Sequence, residues 1–139
     1  MEFKKFGSKY VLRLEKGEEI VDSIKTLCEK EGIKLGSISG IGATNKVVVG
    51  LFETSTKEYH SKELIGDMEI TSLLGNISQK DGEVYLHLHI TLADGNYNVH
   101  GGHLTSAVIS ATGEIIIDTI DGVVDREFNE EVGLNLFKF

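Results

Sequence analysis

The sequence predicts an α+β fold, with a mostly antiparallel, near-closed β-sheet of seven to eight strands and one main α-helix over residues 18–31. Three observations carry this expectation. Stretches of alternating apolar and polar residues recur along the chain, as in half-buried strands. Turn-forming residues separate several of them, most clearly Asp81-Gly82. Only one stretch carries apolar residues at helical spacing. The 139 residues include no proline, so the 16 glycines take over the turns.

Phe3 to Leu14 reads as a strand with a bend or bulge at Gly7-Ser8. Glu18 to Glu31 reads as the helix, because Ile20, Val21, Ile24, Leu27 and Cys28 form one apolar stripe. Glu18 and Glu19 suit the positive end of its dipole, and Gly32 suits its C-terminal cap. Ile33 to Ala43 reads as a short strand and a tight turn packed against a neighbour. It matches neither of the common glycine-rich phosphate motifs. Lys46 to Glu53 is a strand, and Lys57 to Leu64 a weaker strand or a loop. Met68 to Ser78 and Glu83 to Ala93 are strands flanking the Asp81-Gly82 hairpin, and Asp94-Gly95-Asn96 is the next turn. His103 to Ser110 and Glu114 to Asp118 read as a hairpin through Ala111-Thr112-Gly113. Leu134 to Phe139 is a last strand, with Leu134, Leu136 and either Phe137 or Phe139 inward.

The length fits a single domain over residues 1–139. Residues are 40% apolar and 26% charged, the balance of a folded globular chain. No apolar run approaches the roughly 20 residues of a membrane helix, and the N-terminus has no apolar core of a signal peptide. A single cysteine, Cys28, fits a reducing cytoplasm and lies on the helix stripe as a small buried hydrophobe. The formal net charge of −8, with basic residues scattered, disfavours direct nucleic-acid binding by this chain alone.

The chemistry concentrates between Glu83 and Leu104, which holds four of the five histidines. Val84, Leu86, Leu88, Ile90 and Leu92 take one face of the predicted strand, so His87 and His89 share the other. His103 follows Gly101-Gly102, where a backbone without Cβ atoms can turn tightly and bring a side chain back. His87, His89 and His103 would be three imidazole ligands for a divalent metal, zinc first, with one coordination position open. His100 is the competitor for third ligand. If Tyr97 to His100 continues as a strand, Val99 turns inward and His100 outward. His60 reads as an exposed loop or edge residue. Glu69, Asp94 and Thr105 are candidates to hold the ring tautomers, Glu69 foremost because its strand pairs with Glu83–Ala93.

The order of these features resembles the plants and prokaryotes conserved (PPC) domain in its stand-alone prokaryotic form. The resemblance runs through Arg13-Leu14, Lys16-Gly17-Glu18, Ser39-Gly40-Ile41-Gly42-Ala43, Glu69-Ile70-Thr71-Ser72-Leu73 and Gly75-Asn76-Ile77. It ends in His87-Leu88-His89, Gly101-Gly102-His103-Leu104 and Glu114-Ile115, and its most specific part is HLH followed by GGHL. It implies an α+β homotrimer and, in prokaryotic members, a metal site at the positions of His87, His89 and His103. Plant members join the domain to AT-hook segments, and this sequence has no Arg-Gly-Arg core. The family's DNA-binding label therefore arrives without the residues that would bind DNA.

The sequence thus favours a homotrimeric, zinc-like metal-binding module with a regulatory or assembly role. The alternative is a small three-histidine metal-dependent enzyme of unknown reaction, with Glu69 as its candidate base. A cupin-type enzyme is disfavoured because Thr91-Leu92-Ala93-Asp94 lacks the glutamate expected beyond the histidine pair.

Overall fold

The computed structural model describes residues 1–139. Two short strands, β1 (Glu2–Phe6) and β2 (Lys9–Glu15), precede helix α1 (Ile20–Glu31). Three long strands and one of medium length build the body: β3 (Gly36–Glu53), β4 (Glu58–Lys80), β5 (Glu83–Asp94) and β6 (Val99–Thr119). A hairpin of β7 (Asp125–Asn129) and β8 (Leu134–Lys138) follows. The eight strands form one sheet, antiparallel except for a single parallel bridge between β4 and β7.

The sheet is near-closed because β6 changes partners along its length. Its first half pairs with β5 and β3, and its second half with β3 and β2. Since β3 also pairs with β4, and β4 with β5, the strands β3-β4-β5-β6 form a ring. Leu88, Ile90 and Leu92 of β5, Val47 of β3, Leu73 of β4 and Ala107 of β6 belong to the buried core. Helix α1 adds Ile20, Ile24, Leu27 and Cys28, all almost fully buried, so the apolar stripe is the face it presents to the core.

The helix ends are fixed by local chemistry. Glu19 is the N-cap, its carboxylate accepting from the Asp22 N–H at 2.7 Å and from the Ala107 N–H at 2.7 Å, which ties the helix start to β6. Gly32 adopts φ 67° at the C-terminal end, the left-handed conformation glycine takes without penalty. Burial pushes the Cys28 thiol up to about 12, so it packs as a hydrophobe.

Four local expectations are corrected. Phe3 to Leu14 is a hairpin, because Gly7 takes φ 60° and Phe6 pairs with Lys9. Ile33 to Ala43 does not turn. Its glycines lie in the continuous strand β3, where an added Cβ on Gly36 would stand 2.7 Å from the Asp118 carbonyl oxygen of β6. Ala111-Thr112-Gly113 likewise runs through β6 as extended strand, with Gly113 opposite both Leu14 and Gly42. The last strand buries none of Leu134, Leu136, Phe137 or Phe139, since its hairpin lies at the margin of the sheet. Of Lys57 to Leu64, all but the turn residue Lys57 is strand, joined without interruption to Met68–Ser78 in β4.

Candidate metal centre

Strand β5 places Leu88, Ile90 and Leu92 in the core and turns His87 and His89 to the outer face, as the alternation requires. Antiparallel pairing sets His103 of β6 directly opposite His89, and opposed residues share a face. Three imidazoles thereby meet. Their ring centroids are 5.2 Å (His87–His89), 5.4 Å (His87–His103) and 5.5 Å (His89–His103) apart. Their ligand nitrogens all lie within 4.8 Å of one another, and the Nε2 atoms of His87 and His89 are 3.2 Å apart.

Gly101 and Gly102 act differently from the expectation. They make no turn and lie inside β6, where two neighbouring strands press close. An added Cβ on Gly101 would stand 2.6 Å from the Ile90 carbonyl oxygen, and one on Gly102 would stand 2.7 Å from that of Gly50. The glycines let the ring close at the level of the histidines.

Burial, followed by the positive fields of His103, Arg126 and His89, pushes the His87 imidazole down to about 4. Burial and then His89 also lower that of His103. Both rings are therefore neutral at pH 7 with a nitrogen lone pair free, the state a metal needs.

Two further side chains frame the histidines, and both had escaped the sequence reading. The Tyr59 ring packs edge-on against His103 at 5.9 Å, and its hydroxyl lies 3.2 Å from Thr105 Oγ1. It fits only because Gly50, opposite His103, has no side chain. On the other flank stands Arg126 of β7, 8% exposed and enclosed by the rings of Tyr85 (4.8 Å) and Phe137 (4.3 Å). It donates to Ser78 Oγ, to the Asn135 carbonyl and to Asn76 Oδ1 at 2.8, 2.8 and 2.9 Å. Asn76 is the register partner of His87. No short sequence pattern could have flagged Arg126, whose side-chain partners Asn76 and Ser78 lie 50 and 48 residues away.

The remaining candidates stand apart. Glu69 pairs with Ala93, four residues along β5 from His89, which is about 13 Å of strand. His100 turns the other way from the expectation, half-buried and bonded to Asp94 at 3.0 Å, while Val99 is exposed. Asp94 also accepts from the N–H groups of Asn96 and Asn98, and these bonds, His100 first, hold its carboxyl down at about 2. His60 is exposed on β4, 3.1 Å from Glu53. With Glu53 and Glu58 it forms an exposed group on the opposite face of the sheet from Gly50 and His103.

The sequence profile of the Plants and Prokaryotes Conserved (PCC) domain matches residues 1–121. Among solved structures the chain is similar to a candidate DNA-binding protein from Bacteroides thetaiotaomicron, at 38% identity and a TM-score of 0.97, covering 99% of this chain and 96% of that one. It is also similar to a metal-containing protein from Archaeoglobus fulgidus, at 36% identity and 0.88, over 100% and 99% of the two chains. A plant- and prokaryote-conserved (PPC) protein from Pyrococcus horikoshii gives 34% and 0.87, over 99% and 95%. The bifunctional protein GlmU of a Synechococcus strain is 29% identical over 110 residues, and this match spans 78% of the chain but 16% of that protein's length. With the match over 121 residues, the chain belongs to the plants and prokaryotes conserved domain family, abbreviated PCC or PPC.

Proposed function

We propose that this chain, as one domain over residues 1–139, is a metal-binding module. It holds one zinc-like divalent ion through His87, His89 and His103 and acts as a homotrimer in an assembly or regulatory role. The convergence of three imidazoles on the outer face of the ring carries this reading. Imidazole nitrogen is the donor zinc, copper, iron and nickel prefer, and a set of three leaves a position for water or a ligand. The metal-containing archaeal relative supports it by similarity.

The trimer rests on the surface. Val11, Ile116, Ser39, Leu74, His89 and His103 form one continuous row across five neighbouring strands, each opposite the next. Val11, Ile116 and Leu74 in it are exposed, with Ile41 beside them. An apolar sheet face of this kind is covered by another surface, and copies of this chain are the proposed cover.

Direct nucleic-acid binding is not part of the proposal, because a formal net charge of −8 opposes the field of a phosphate backbone. A metal-dependent enzyme is the second reading, favoured by the Tyr59 hydroxyl bonded beside His103.

The test is elemental analysis of untagged protein purified without chelator. About one metal per chain is expected. A ratio near zero that added zinc does not raise would overturn the metal site.

A further inference from the structure

Asn76 and Arg126 have no role in holding a metal, yet they flank the histidines in a specific arrangement. Asn76 lies opposite His87, so both side chains stand on the outer face with Cβ atoms about 5 Å apart. A guanidinium has only donors, so the amide oxygen of Asn76 must face Arg126, which it does at 2.9 Å. The orientation of the amide is therefore settled by chemistry. Its NH2 group is left on the other branch, with no hydrogen-bond partner in the chain. Arg126 cannot satisfy it, since both groups are donors, and Ser78, Asn135, Tyr85 and Phe137 hold the guanidinium, and with it the amide, in place.

The charge around the histidines points the same way. No carboxylate oxygen joins the three imidazoles. Asp94 is occupied by His100, and Glu69 lies four residues along the ladder. A divalent ion on three neutral rings beside a buried guanidinium would leave a net positive site on an otherwise acidic chain.

We infer that the site takes a small oxyanion of the carboxylate class at its open position, oriented by a hydrogen bond from the Asn76 amide that Arg126 holds. The inference rests on the metal-site reading above. Asn76 touches the ligand, whereas Arg126 is a positioning residue that acts through Asn76.

The test titrates acetate into protein loaded with cobalt(II), following the visible spectrum, with acetamide as the uncharged control. The wild type is expected to bind one cobalt per chain and to respond to acetate but not to acetamide. Asn76→Ala should keep the cobalt and bind acetate about tenfold more weakly, the loss of one hydrogen bond to a charged group. Asn76→Asp keeps an acceptor for Arg126, so it should fold, hold cobalt and bind acetate still less than the alanine variant. Arg126→Lys should weaken acetate at unchanged cobalt content. It should also move the Asn76 side-chain amide resonance, which a merely structural role of Arg126 elsewhere in the hairpin would leave in place. Equal acetate affinity in the wild type and both Asn76 variants would overturn the inference while leaving the metal site standing. Failure of the wild type to take up cobalt would overturn the metal site and the inference with it.

Discussion

His89 and His103 face each other as a register pair across β5 and β6, although thirteen residues and a turn separate them in sequence. His87, two residues from His89 on the same face, completes the triangle. The ladder itself therefore sets the spacing of the three imidazoles, and strand pairing holds it. A constellation mounted on paired strands is more rigid than one carried on loops.

Replacing His89 by Ala should abolish metal binding and leave the fold intact. The side chain lies on the outer face, and the aliphatic residues beneath it are untouched. Metal content should fall from about one per chain to near zero, with an unchanged far-ultraviolet circular dichroism spectrum. Full metal content in the variant would remove His89 from the ligand set.

Two glycines near the histidines should respond differently to alanine. At Gly75 an added Cβ overlaps the carbonyl oxygen of His87, which is backbone and cannot yield. Gly75→Ala should cost about 1–3 kcal/mol in denaturant unfolding, since β4 must move off β5. At Gly50 the overlap is with the Tyr59 ring, a partly exposed side chain that can swing away. Gly50→Ala should cost less than Gly75→Ala and release the Tyr59 contact with His103. An equal loss in both variants would contradict this distinction.

Asp94 should give the turn after β5 a pH dependence in the acid range. Its carboxyl is held at about 2, mainly by His100 and then by the N–H groups of Asn96 and Asn98, against 3.8 ordinarily. As pH falls below about 4 the unfolded chain takes up this proton before the folded one. The contribution is thus complete above about pH 4 and is lost as pH approaches 2. Amide resonances of Asn96 and Asn98 should titrate in that window, and Asp94→Asn should flatten their response. Titration of both amides near pH 4 in the wild type would argue against the bonded carboxylate.

The exposed apolar row should govern self-association. Light scattering of the wild type should report three times the 15.2 kDa chain mass. Ile116→Lys, between Val11 and Ser39 in the row, should shift the mass toward monomer by burying an unpaired charge in the interface. A monomeric wild type would defeat the trimer.

Local pattern made much of this chain legible. Ile20, Ile24, Leu27 and Cys28 announced the helix by spacing alone, and their burial follows from it. Asp81 and Gly82, at φ 54° and 84°, form the expected hairpin turn, because few residue pairs tolerate that backbone. The facing of His87 and His89 away from the core was readable because Leu88, Ile90 and Leu92 can satisfy only one face. His103 stands out in sequence behind its two glycines, but strand pairing with His89, and no glycine turn, brings it to the other two.

Tertiary structure alone decided the role of the glycines, the length of the strands and the frame of the histidines. A glycine in sequence reads equally as a bend or as a place where another backbone comes close. Gly36, Gly101 and Gly102 are the second kind, because Asp118, Ile90 and Gly50 press against them from neighbouring strands. Long strands such as β4 and β6 stay extended across their interruptions because neighbours on both sides satisfy their backbone groups, a cause outside any local window. Arg126 beside Asn76 and Tyr59 over Gly50 belong to the same class. Periodicity reports which way a residue faces, and only the closing of the ring determines what it meets there.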